Sequence, residues 1–199
     1  MLIQEPRKGF PMSTSEGKYF WPRDPRVEEV SIDVIAHHLG MQVRFAGACK
    51  EFVSIAEHSV LVSYVAEEDG KVHYALEKLL HDAPEAYIQD WIRPIKHDPE
   101  FKPIYQKLEA PIERLVAQKF GLHHPFPPEV KRADEMICCL EIRDNIANPH
   151  VMDDATLHVP TPIQPHLYLR YWTPKRAKEM FLRRFYEIIH SPEYALAHS

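Results

Sequence analysis

From Ser31 onward the chain is organised by apolar residues that recur every three or four positions, the spacing of one face of a helix. In "SIDVIAHHLG" the residues Ile32, Ile35, Ala36 and Leu39 keep that spacing, with Ser31 as the expected N-cap and Gly40 as the expected end. Ser54-Ile-Ala-Glu57 reads as a capping box, serine hydroxyl forward and glutamate back, opening a helix through Val60, Leu61, Tyr64 and Val65. Next, "KVHYALEKLLHD" carries Val72, Ala75, Leu76, Leu79 and Leu80 as a second long helix. A third is expected from Pro103, a favoured first-turn residue, to Phe120, with Gly121 ending it and Pro111 kinking it. A fourth follows Pro127-Pro128, with Val130, Ala133, Ile137 and Leu140 as its buried stripe. The last, 173–191, has Thr173 as N-cap and Pro174 in the first turn. Ahead of all these, Lys18–Val30 alternates aromatics with prolines and charges and reads as a short extended hairpin or loop. The pattern specifies an all-α fold, a helical bundle with a short extended N-terminal segment.

Composition narrows this to one domain spanning 1–199. The chain has 199 residues, 45% hydrophobic and 27% charged, enough to bury a core, with no internal repeat or low-complexity linker. A formal net charge of −5 argues against a general nucleic-acid binder, so any anionic substrate has to be met by local positive charge. No apolar run reaches membrane-spanning length, and the first residues lack the apolar core of a signal peptide. Cys49, Cys138 and Cys139 make neither a disulfide framework nor a CxxC zinc site. A cytoplasmic protein without membrane or nucleic-acid partners is expected.

The chemistry concentrates in "EKLLHDAPEAYIQD", where His81, Asp82, Glu85 and Asp90 fall within ten residues. Carboxylates this close repel one another unless positive charge sits among them. Pro84 breaks a straight helix, so the stretch reads as a helix end and a restart that turns His81, Asp82 and Glu85 toward one point. A mixed imidazole and carboxylate set suits a divalent transition metal. Its partners should lie at core-facing helix positions, where an unpaired polar group is costly. His58 and Asp134 fit that description. A second His-Asp pair, His97-Asp98, lies between Pro94 and Pro103 with no apolar helix leading into it, and reads as a solvated turn. His37-His38 and His123-His124 read as surface or packing residues.

"SIAEHSV", "LLHDAPEAYIQD" and "RPIK", with Arg44-Phe45 before them and "KRADEMI" after, resemble the HD-domain phosphohydrolases. Within that family they are most similar to the branch of bacterial 5'-deoxynucleotidases and phage dATP triphosphohydrolases. The resemblance runs from about Asp24 to Asn145, giving a core of about 24–147. It implies His58, His81, Asp82 and Asp134 as metal ligands and Glu85 as the residue that orients or deprotonates the attacking water. It also implies Asp90 near the substrate's phosphate and sugar, and Arg44 and Lys96 on phosphate. Phe45 is a candidate to stack on the substrate. The implied cofactor is Co, Mn, Zn, Fe or Ni, and the implied partner a deoxynucleotide handled by a homo-oligomer. A triphosphate substrate is favoured by the likeness of "RFAGACKEFVSIAEHSVLVS" to the phage and prophage-type members and made plausible by Lys50, Arg93 and Lys96, with a 5'-deoxynucleotidase as the alternative. A nucleotide-binding protein without turnover and a helical scaffold are the remaining readings. One position departs from the family pattern: Gln89 stands where a glycine is usual, which strains the backbone if φ there is positive.

Overall fold

The computed structural model describes residues 6–68, 74–147 and 164–197. It is mainly helical. Two short antiparallel strands, β1 (Met12–Ser13) and β2 (Tyr19–Phe20), come first, followed by a 3-10 turn at Val27–Glu29. The helices are α1 (Ile32–Met41), α2 (Ile55–Glu68), α3 (Ala75–Leu80), α4 (Glu85–Ile88), α5 (Arg93–Lys96), α6 (Lys102–Phe120), α7 (Pro128–Asn145), α8 (Pro174–Ile189) and α9 (Pro192–Ala197). Further 3-10 turns occupy Arg44–Gly47 and Pro165–Leu167. No helix among the described residues is long and apolar enough to cross a membrane.

Helix α2 is the centre of the molecule. From Ile55 to Val65 every residue but Tyr64 is buried, which a helix tolerates only when other elements surround it. On one side Ile55, Ala56 and Val60 join a large cluster with α1, α3, α6 and α8. On the other, Leu61, Val62 and Val65 pack on Ala133, Ile137 and Leu140 of α7 and on Leu167. The four apolar residues expected to face inward on α7 do so. Strand β2 is fastened by Phe20, which stacks on Tyr87 of α4 at 3.9 Å between ring centroids.

Several local expectations are corrected. Ser31 occupies the N-cap position of α1, but its hydroxyl donates to Glu16 Oε1 at 2.6 Å instead of capping the helix. Gly40 does not end α1, which runs on to Met41. A Cβ there would stand 3.0 Å from the Pro174 carbonyl, so the glycine is what lets α8 approach. The α6 helix continues through Pro111 and ends, as expected, at Gly121 with φ of 68°. Thr173 caps α8 by accepting from the Arg176 amide. The hairpin lies further toward the N-terminus than the Lys18–Val30 segment, of which only Tyr19–Phe20 is strand. Of the expected helix over 71–82, residues 71–73 lie outside the described residues, and α3 ends at Leu80.

Candidate metal centre

The interruption by Pro84 builds one wall of the site. Helix α3 stops at Leu80, residues 81–84 turn, and α4 restarts at Glu85 with Pro84 as its N-cap. The second wall is α2 with His58, and the third α7 with Asp134.

These elements bring four side chains to one point. Ligand atoms of His58, His81 and Asp82 lie within 4.8 Å of one another, a group that could hold a metal ion. His58 Nε2 is 3.8 Å from Asp82 Oδ2 and 3.0 Å from Asp134 Oδ1. His81 Nε2 is 3.2 Å from Asp82 Oδ2 and 3.7 Å from Asp134 Oδ1. Bonds of ~2.0–2.1 Å to a four-coordinate ion set its ligand atoms roughly 3.3 Å apart, and these spacings straddle that value.

The far side of each imidazole fixes its orientation. His81 Nδ1 lies 2.8 Å from the Lys78 carbonyl, which can only accept, so Nδ1 carries a hydrogen. In the neutral ring Nε2 then presents a lone pair to the centre. That atom is buried, stands 3.2 Å from Asp82 Oδ2, and has no hydrogen-bond partner among the described residues. His58 Nδ1 faces Glu141 Oε1 at 3.0 Å. An imidazole held by a carboxylate or carbonyl behind it is the usual arrangement of a metal-ligating histidine. The donor set therefore fits a divalent transition metal.

Two further carboxylates stand close by, each with its own cation. Glu85 is buried; Lys96 Nζ donates to its Oε1 at 2.6 Å, while Oε2 has no hydrogen-bond partner among the described residues. Burial, reinforced by Asp82, pushes the Glu85 carboxyl well above the ordinary range despite Lys96. Lys96 also lies over the Tyr105 ring at 4.6 Å and 3.8 Å from Glu109. Arg44 donates from Nε and a terminal nitrogen to Glu141 Oε2, at 3.2 and 2.9 Å. Burial alone would raise the Glu141 carboxyl, but Arg44 and His58 hold it below the usual range. Arg44 and Lys96, which the resemblance assigns to phosphate, are thus both engaged by glutamates. Phe45 is half-buried beside the Arg44 guanidinium. Phe45 and Ala46 have φ of 56° and 51°, so this turn is left-handed at two side-chain-bearing residues.

Asp90 follows Gln89, whose φ of 71° and ψ of 154° belong to a region that glycine alone enters freely. Gln42 secures this turn: its amide nitrogen donates to the Glu85 carbonyl at 3.0 Å and its amide oxygen accepts from the Asp90 amide at 3.1 Å. Burial raises the Asp90 carboxyl. His97 and Asp98 sit at the end of α5, His97 exposed, apart from the cluster.

Glu57, next to His58, is not the back half of a capping box. Its amide does donate to the Ser54 hydroxyl oxygen at 3.1 Å, but its carboxylate turns the other way. There it accepts three successive backbone amides, Arg170 at 2.6 Å, Tyr171 at 3.0 Å and Trp172 at 2.7 Å. Neither this nor the Glu141 contact is signalled by neighbouring residues, although Glu141 lies two helical turns after Asp134 and among buried neighbours, where a carboxylate must find a partner. Gln42 carried no signal at all.

No family model matches the chain. It is 35% identical to the uncharacterized protein YfdR of Escherichia coli K12 over 133 residues, 67% of this chain and 71% of YfdR. It is 29% identical to the uncharacterized protein RCAP_rcc00048 of Rhodobacter capsulatus over 178 residues, 84% of this chain and 90% of that one.

Proposed function

The chain belongs to the family of YfdR, and we propose that it is an HD-domain phosphohydrolase that uses a divalent transition metal to hydrolyse deoxynucleotides. The observation that carries this reading is His81 Nε2, buried without a hydrogen-bond partner among the described residues and facing His58, Asp82 and Asp134. The ordered motifs from Arg44 to Asp134 and the mainly helical fold support it.

His58, His81, Asp82 and Asp134 would hold the metal, which when bound would supply polarisation of a phosphoryl oxygen and a lowered pKa for water. Glu85 takes the proton of the attacking water at Oε2, the oxygen that Lys96 leaves unengaged, and its raised affinity for a proton suits that task. Lys96 holds the other oxygen and so aims the carboxylate. Asp90, fixed by Gln42, stands at the substrate's sugar edge. Glu141 keeps His58 turned toward the centre, and Arg44 keeps Glu141 ionised.

Within this reading the engagement of Arg44, Lys96 and Lys50 leaves the exposed Arg93 alone among the cations named above for further phosphates, which favours a deoxynucleoside monophosphate over a triphosphate. Arg44 and Lys96 are held by glutamates, and Lys50 Nζ donates to the Asp144 carbonyl at 3.3 Å. The test is mass spectrometry of products from dAMP and from dATP, each with Co²⁺ or Mn²⁺. Deoxyadenosine and phosphate from dAMP alone give a 5'-deoxynucleotidase. Deoxyadenosine and intact triphosphate from dATP give a triphosphohydrolase. Tight nucleotide binding without product from either rejects the enzyme in favour of a binding protein.

A further inference from the structure

Beside the metal centre lies a cavity of about 720 Å³, within the size range of small-molecule sites. It is open to solvent on one side and is lined by the hairpin residues Met12–Ser15, the end of α1 with His37 and Met41, and the turn at Gln89-Asp90. Its inner end is joined to the catalytic wall, because Gln42, which also lines it, bridges the Glu85 carbonyl and the Asp90 amide.

The hairpin wall is braced. The Ser15 amide donates to His38 Nε2 at 3.1 Å, so that nitrogen is the acceptor, and Nδ1 carries the hydrogen that reaches the Ala86 carbonyl at 2.7 Å. His38 is therefore a strut between hairpin and α4, with both nitrogens occupied. A cavity braced in this way is set before a ligand arrives, which lowers the cost of binding.

Its chemistry differs from that of the centre. Among the described residues no Lys or Arg lines it, and Asp90 is its one carboxylate. A phosphate placed here would face a negative charge with no cation in the lining. A neutral group with hydroxyl donors would find Asp90 as acceptor. Ser13 and His37 offer further polar partners, and Met12, Met41 and Val43 offer apolar wall. Met41 is 61% exposed at the rim, where a flexible thioether can adapt to a flat ring.

We propose that this cavity receives the deoxynucleoside half of the substrate, and that the hairpin with His37 and Met41 selects among bases. The assignment rests on the phosphohydrolase reading for the other half of the molecule, and it makes the N-terminal hairpin a specificity element.

The test labels the methyl carbons of the six methionines and titrates the full chain with each of the four deoxynucleosides, with and without EDTA. The expected result is a saturable shift of Met12 and Met41 with at least one deoxynucleoside, with or without metal, while Met136 and Met180 stay in place. The same nucleoside should inhibit dAMP hydrolysis competitively. Met41→Trp, a change at an exposed rim, should abolish the Met12 response and raise KM for the preferred nucleotide at least about tenfold, as expected for losing one anchoring contact. No shift with any of the four, shifts confined to other methionines, or non-competitive inhibition would each overturn the assignment. A Met12 and Met41 response in a protein that hydrolyses no phosphate ester would uphold the cavity and remove the phosphohydrolase reading instead.

Discussion

Glu141 Oε1 stands 3.0 Å from His58 Nδ1, and the other Glu141 oxygen takes both nitrogens that Arg44 presents. A buried chain of guanidinium, carboxylate and imidazole thus ends with His58 Nε2 facing Asp82 and Asp134. Glu141→Gln keeps the shape and removes the charge. Metal affinity, followed by Co²⁺ absorption, should fall about 10–100-fold, the usual effect of losing a partner behind a ligand. Unchanged affinity would reduce Glu141 to a packing residue.

His81→Ala and Asp82→Ala each remove one ligand atom from the cluster. Neither variant should retain metal after dialysis against a weak chelator, and neither should turn over dAMP. Stoichiometric metal in either, measured by elemental analysis, would reject the ligand assignment.

Glu85→Gln separates binding from turnover. The amide keeps the size of the side chain but cannot take a proton, so metal content should hold while kcat falls about 10²–10⁴-fold. Wild-type kcat would move the role of base to another residue.

Gln89→Gly relieves a backbone that a side chain makes costly. At φ of 71° and ψ of 154° the strain is about 1–3 kcal/mol, partly offset by the greater freedom of glycine in the unfolded chain. The variant should be more stable by about 1 kcal/mol in urea unfolding. A less stable Gln89→Gly would mean that the glutamine side chain contributes more than its backbone costs.

Glu57→Ala leaves three backbone amides, from Arg170 to Trp172, without their acceptor. A fully buried donor left unsatisfied costs about 1–3 kcal/mol; Arg170 and Tyr171 are exposed and Trp172 half-buried, so water recovers part of this and a total loss of about 1–3 kcal/mol is expected. Amide exchange at 170–172 should quicken ahead of the rest of the chain. Equal protection in both proteins would show that the carboxylate does not hold this segment.

What the sequence made legible was local. The apolar spacing of Val130, Ala133, Ile137 and Leu140 is a property of one helix, and so is the break that Pro84 imposes after His81-Asp82. His58 and Asp134 could be picked out because a polar residue on a buried stripe needs a reason, and the structure brings both to His81. Long-range pairs were not legible in the same way. Arg44 and Glu141 are 97 residues apart, and nothing near either one names the other. A basic residue beside an aromatic looks the same whether its partner is a phosphate or a buried glutamate. Likewise Gly40 reads as a helix end from its neighbours alone, and only the approach of Pro174 shows that it is a point of contact.

Glu57 and His58 are adjacent, yet one looks to α7 and the other to residues 170–172. Synthesis proceeds from the N-terminus, so His58, His81, Asp82 and Asp134 are all joined to the chain before Arg170 is added. Until then Glu57 is a charged side chain within a helix built to be surrounded, and burying it without its three amide donors is unfavourable. The frame around His58 is therefore among the last parts of the chain to close, however early the ligands themselves are made.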